Sequence, residues 1–203
     1  MARCLSCLSL IFFSAFLISC SEAPSDRAAW HESRGDGYVE QEKLREALIE
    51  YKNAARATPD NPAIHWKIAK AASQVGDPST IFTSLSRVVQ LAPTDFDAQW
   101  SLGDFYLSAG KTDEAGEIAA TLLAARPQHP AGYLLRAGLA LGADRVEDAI
   151  GLLKQAVELD PTMLRPALAL ANIHFAQQEL KKAAEWYDRA LKVDPKSAEV
   201  RIA

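Results

Sequence analysis

Apolar residues return along this chain at helical spacing, in segments divided by short polar breaks. Leu44, Leu48 and Tyr51 form one row, Val146, Ile150 and Leu153 another, and Leu180, Ala183 and Tyr187 a third. Residues three and four apart share a helix face, so each row predicts an amphipathic helix with one buried stripe. Five prolines set these helices in a common frame. Pro59, Pro93, Pro127, Pro161 and Pro195 stand 34 residues apart. Each follows a predicted helix that it prevents from continuing.

Small residues recur in the same frame. Gly35, Ala69, Gly103, Ala137 and Ala171 lie 24 positions before the five prolines. Ala47, Ile81, Ala115, Ala149 and Ala183 lie 12 before, and Ala54, Val88, Leu122, Ala156 and Ala190 lie five before. Small side chains are needed where two helix axes cross at the short end of the ~8–10 Å range. Gly76-Asp77 and Gly110-Lys111 fall where a tight turn joins two helices, since glycine ends a helix in the left-handed conformation. Asp60-Asn61, Thr94-Asp95 and Ser197 offer N-terminal caps, and Pro62 and Pro130 suit first turns. Each period is therefore two antiparallel helices and a turn.

A 34-residue period with this small–small–Pro punctuation resembles the tetratricopeptide repeat (TPR) family. The resemblance covers residues 28–197 without insertion or deletion, as repeats 28–61, 62–95, 96–129, 130–163 and 164–197. It implies an all-α fold, an α-solenoid of about five helix-turn-helix repeats. One helix pair cannot bury its apolar face alone, but stacked pairs share a continuous core.

Three places depart from the pattern. His31 to Gly37 carries two glycines, each costing ~1 kcal/mol relative to alanine inside a helix, so a short or frayed first helix is expected there. Ile81 stands where other repeats have alanine and predicts a wider crossing. Residues 198–203 read as the start of a partial sixth repeat. Either the chain is a fragment of a longer array or another subunit covers that end, and a fragment is the expectation.

The first 19 residues read differently. A cationic Met1-Ala2-Arg3 precedes an apolar run from about Leu5 to Ile18, shorter than the roughly 20 residues a membrane-spanning helix needs. Leu17-Ile18-Ser19-Cys20 is similar to the lipobox of bacterial lipoproteins. That resemblance implies a signal peptide over 1–19 and acyl chains on Cys20, each buried methylene contributing ~0.8 kcal/mol to anchorage. An unprocessed hydrophobic helix is the plainer alternative. Residues 20–29 then read as the lipidated cysteine and a polar tether, with the solenoid over 30–203. Ser21 in place of Asp implies, by likeness to enteric lipoproteins, an outer-membrane anchor facing the periplasm.

Charge and cysteine content narrow the function. The formal charge is −4, which argues against a nucleic-acid binder relying on a basic surface. All three cysteines lie in the first 20 residues, so the repeats hold no disulfide, thiolate metal site or cysteine nucleophile. His31 and His65 are 34 apart without an evident third ligand, and seam packing is the expected role. No nucleophile, phosphate or metal motif stands out, so neither catalysis nor a cofactor is expected.

In this family the first helices line a concave groove. The family pattern places a tryptophan three residues before its Leu-Gly pair; here Trp66 and Trp100 come one residue later, a turn of ~100° that swings them toward the groove. The same register holds Leu134 and Leu168, and seven residues on lie Leu107, Leu141 and Phe175. Lys70, Asp104 and Asn172 interrupt the strip with polar groups. Exposed, such a strip is a contact site with tryptophan anchors; alternatively its members pack between repeats, the favoured reading for Leu134, Leu141 and Leu168. Trp30 and Trp186 are read as structural. One lysine, Lys70, does not make the carboxylate clamp of chaperone-binding relatives.

The resemblance thus implies a non-enzymatic, membrane-anchored scaffold holding an envelope protein or peptide segment in its groove. Relatives of this layout assemble envelope machines such as exopolysaccharide export, type IV pili or peptidoglycan-enzyme complexes, and Glu46–Ala54 is similar to repeats near exosortase systems. Two other readings stand beside it: glycan binding with Trp66 and Trp100 as stacking platforms, and a structural homo-oligomer.

Overall fold

The 34-residue frame appears directly in the helix boundaries of the computed structural model, which describes residues 23–195. Ten α-helices account for nearly all of them: α1 (Pro24–Glu40), α2 (Leu44–Ala57), α3 (Pro62–Val75), α4 (Pro78–Leu91), α5 (Phe96–Ser108), α6 (Thr112–Ala125), α7 (Pro130–Gly142), α8 (Val146–Leu159), α9 (Leu164–Ala176) and α10 (Leu180–Val193). Second helices begin at 44, 78, 112, 146 and 180, and first helices from α3 onward at 62, 96, 130 and 164. Each helix packs on the next, and the first helices α5 and α7 also touch across a repeat boundary. The fold is the expected all-α solenoid of five helix pairs.

Local chemistry explains the boundaries. Asn61, Asp77 and Asp95 each accept a hydrogen bond from a backbone N–H in the first turn of α3, α4 and α5, at 3.0 Å. His129 does the same for α7 through Nδ1, at 3.3 Å from the Ala131 nitrogen. Each repeat proline lies two residues past a second helix, and a side chain six positions on reaches back to its carbonyl in three repeats. Gln99 and Tyr133 donate to the carbonyls of Pro93 and Pro127, and the His65 ring pairs with that of Pro59. The turn residues are equally periodic: Glu42, Gly76, Gly110, Asp144 and Gln178 all have φ between 58° and 73°. Only two of the five are glycine, so three turns hold a left-handed conformation that L side chains resist by ~1–2 kcal/mol.

The small-residue rows sit at the helix contacts. Ala54, Val88, Leu122, Ala156 and Ala190 are fully buried, as are Ala47, Ala115 and Ala149. A methyl group on Gly103 would lie 2.6 Å from Leu135, and one on Gly35 would lie 2.5 Å from the Tyr51 ring. Ile81 packs against the cores on both sides of its crossing.

The N-terminal end corrects two expectations. α1 is 17 residues long and passes through both glycines, rather than being short or frayed. It begins at Pro24, inside the stretch read as a tether. Tertiary contacts outweigh the low helix propensity. Gly35 lets the Tyr51 ring close on α1, and the Tyr51 hydroxyl donates to Asp36 at 2.7 Å. Lys67 reaches Asp36 at 2.7 Å and Glu32 at 2.8 Å, tying α3 to α1. On the opposite flank, buried Glu50 pairs with His31 at 2.6 Å and Arg34 at 3.2 Å. The signal peptide, Cys20, Ser197 and the partial sixth repeat lie outside the described residues.

Candidate functional site

The row of first-helix side chains opens, at its N-terminal half, into a groove of about 1000 Å³. Its walls are α3 and α5, with Ile81 and Leu85 of α4 between them and Arg165 of α9 reaching in from the last repeat. Trp66 and Lys70 come from α3, and Trp100 and Asp104 from α5. These four predicted residues are brought together. Both indoles are half-buried, Trp66 packing beside Leu85 and Leu102 and Trp100 beside Leu122 and Leu135. Each ring is seated in the seam and also lines the groove.

The seats are fixed by polar contacts. The Trp66 indole N–H donates to Oδ2 of Asp95 at 2.9 Å. The other oxygen of that carboxylate caps α5, so one side chain sets both the helix start and the ring orientation. The Lys70 ammonium lies 5.5 Å from the Trp66 ring centroid, and the Arg165 guanidinium lies 4.5 Å from that of Trp100. Both terminal nitrogens of Arg165 approach one oxygen of Asp104, at 3.4 Å. Lys67 also borders the groove, but its charge is taken up by Asp36 and Glu32. Burial opposes ionisation at Lys67 and Asp36; their mutual hydrogen bonds prevail, holding the ammonium above and the carboxyl below their ordinary ranges.

The other predicted groove residues lie elsewhere. Leu168 is buried with Ala167 and Ala190 under α10, as the packing reading favoured. Leu134 joins the core between α7 and α8, and Leu107 fills the space beside Gly138, where a methyl group would lie 2.6 Å from it. These three pack between helices and do not line the groove around Trp66 and Trp100. Leu141, expected to pack between repeats, is instead exposed, as is Phe175, and both lie outside the groove; Asn172 accepts a hydrogen bond from Tyr187 at 2.6 Å. The strip is thus broken after the third repeat. Trp186 is half-buried against the cores beneath it, whereas Trp30 is about half exposed with Arg34 over its ring.

Sequence reasoning missed Asp95 and Arg165. Asp95 was legible as a cap but not as a partner of an indole 29 residues earlier. Arg165 reaches Asp104 across 61 residues, and no local spacing reports such a contact. Among the described residues, no three His, Cys, Asp or Glu side chains gather as metal ligands, and no helix is long and apolar enough to cross a membrane.

Repeat arrays bearing a groove on their first helices define a class of interaction scaffolds, and comparison places this chain within one family. The tetratricopeptide repeat model matches residues 74–139 and again 140–203, and a second TPR repeat model matches 35–76. The chain belongs to the tetratricopeptide repeat family, whose members are generically non-catalytic scaffolds. A stretch of 49 residues, 24% of the chain, is 39% identical to tetratricopeptide repeat protein 17 of Danio rerio, of which it spans only 4%. Among solved structures, MamA 41-end from Desulfovibrio magneticus RS-1 superposes with a TM-score of 0.62 at 23% identity, covering 87% of this chain and 99% of that one. A tetratricopeptide repeat protein from Parabacteroides merdae gives 0.72 at 17%, covering 85% and 68%. At these identities the likeness is one of fold.

Proposed function

We propose that this chain is a membrane-anchored scaffold that holds a segment of another bacterial envelope protein against Trp66 and Trp100. The observation that carries the reading is the groove itself: two oriented indoles with apolar Ile81 and Leu85 between them. Indoles fixed in advance bind with little loss of freedom, and tryptophan is a favoured anchor at interfaces. The anchor rests on residues 1–20, where the cationic start, the apolar run and Leu17-Ile18-Ser19-Cys20 follow the order of a lipoprotein signal. Assembly of an export or surface-polymer system is the role this layout suits.

Recovery of partners from detergent-solubilised membranes with wild type and a Trp66→Ala/Trp100→Ala variant tests the groove. The wild type is expected to retain envelope proteins that the variant loses; recovery of the same set by both overturns the reading. Labelled palmitate incorporated by wild type and absent from Cys20→Ser tests the anchor. Glycan stacking is the outcome to recognise if oligosaccharide, and no envelope peptide, shifts tryptophan fluorescence.

A further inference from the structure

Trp66 and Trp100 occupy the same register one repeat apart, and so do Lys70 and Asp104. In the second repeat the position four residues beyond the tryptophan supplies a cation to the ring face, Lys70 over Trp66. In the third repeat that position is a carboxylate, so the cation over Trp100 must come from elsewhere. It comes from Arg165, which passes over the fourth repeat to rest on Trp100 and Asp104.

We propose that Trp100 and Asp104 form a receptor for an arginine side chain of the bound segment, and that Arg165 fills it until that segment arrives. The inference rests on the groove being the binding site. An indole face with a carboxylate at its edge suits a guanidinium, which stacks flat while its fork reaches the carboxylate. Arg165 shows that the site accepts this group. Its side chain is 57% exposed and that of Asp104 41%, so the contact is weakly held and open to exchange. Exchange replaces one guanidinium by another, leaving no buried charge unpaired. Asp95 and Asp97 at the start of α5 line the same groove and offset the charges of Lys67 and Lys70 there. A tethered side chain competes at an effective concentration of order millimolar, which lowers the apparent affinity of any arginine offered from outside.

The test uses the full chain in detergent and two peptides differing at one residue, acetyl-Ala-Leu-Arg-Leu-Ala-amide and its Gln counterpart. Binding is read by calorimetry on wild type, Arg165→Ala, Arg165→Gln and Arg165→Ala/Asp104→Asn, with circular dichroism confirming the helical fold. Both Arg165 variants are expected to bind the Arg peptide ~tenfold tighter than wild type, with the Gln peptide little changed. Asp104→Asn is expected to remove the gain. Equal gains for both peptides, or no binding of the Arg peptide by either variant, overturn the inference. If both peptides bind these four forms alike and a fifth, Trp66→Ala, weakens both, the groove reading stands and the arginine receptor alone falls.

Discussion

Asp95 holds Trp66 with one carboxylate oxygen while the other caps α5. The pairing ties the groove ring of one repeat to the helix start of the next, so the two functions of Asp95 are separable by substitution. Asp95→Asn keeps an oxygen for the cap but sets an amide N–H against the indole N–H. A loss of about 1 kcal/mol is expected from the missing bond, with red-shifted tryptophan emission. Asp95→Ala removes the cap as well and is expected to cost about 1 kcal/mol more in urea melts. Equal stability of Asp95→Asn and wild type would show that the indole bond contributes nothing.

The two glycines of α1 should respond with opposite signs. Gly35→Ala drives a methyl group against the Tyr51 ring, which its bond to Asp36 holds in place, and is expected to destabilise by about 1–3 kcal/mol. Gly37 has open space around the same position, so Gly37→Ala is expected to stabilise by up to about 1 kcal/mol. Denaturation midpoints that move together would contradict the packing described for α1.

The left-handed turn residues offer a stabilising change. Gln178 has φ 61° and Glu42 has φ 59°, in the position that Gly76 and Gly110 occupy elsewhere. Gln178→Gly is expected to gain about 0.5–1 kcal/mol, the relief of strain outweighing the greater freedom of glycine in the unfolded chain. Asp144→Gly should gain less, because aspartate tolerates this conformation better. A fall in melting temperature for Gln178→Gly would be the adverse result.

Acid should loosen the N-terminal repeat. Despite burial, the hydrogen bonds from Lys67 and Tyr51 hold the Asp36 carboxyl below its ordinary value of 3.8. Its stabilising contribution is then full above that value and lost as pH falls through the lower folded one. Lys67 is shifted upward, so its share is present at neutral pH and lost only as pH rises past the ordinary lysine range. Burial and the Asp36 bond raise the Tyr51 hydroxyl above its usual range, which keeps it a donor throughout. Asp36→Asn is expected to flatten the acid limb of stability against pH; an unchanged limb would place the acid sensitivity elsewhere.

The periodic part of this molecule was legible because each repeat solves one packing problem with residues close in sequence. The prolines and the caps at Asn61, Asp77 and Asp95 act within a turn of where they stand, and the small rows, though they meet side chains further off, recur at one fixed interval. α1 was misjudged because helix propensity counts the cost of Gly35 and Gly37 but not the Tyr51 ring that fills the space. Trp66 and Trp100 share a phase on their helices, and both rings line the groove. Leu168 shares the phase and is buried, because α10 covers it. Arg165 had no signal, since its contact depends on how far the whole array bends.

That last contact has a mechanical consequence. Couplings between adjacent units alone would let such an array unzip from either end. Arg165 adds a light, exposed tie from the fifth unit to the third, past the intervening α7. Lifting that tie from Trp100 leaves the fifth unit held by its neighbour alone, so an event in the groove is expected to register as modestly faster amide exchange at the start of α9.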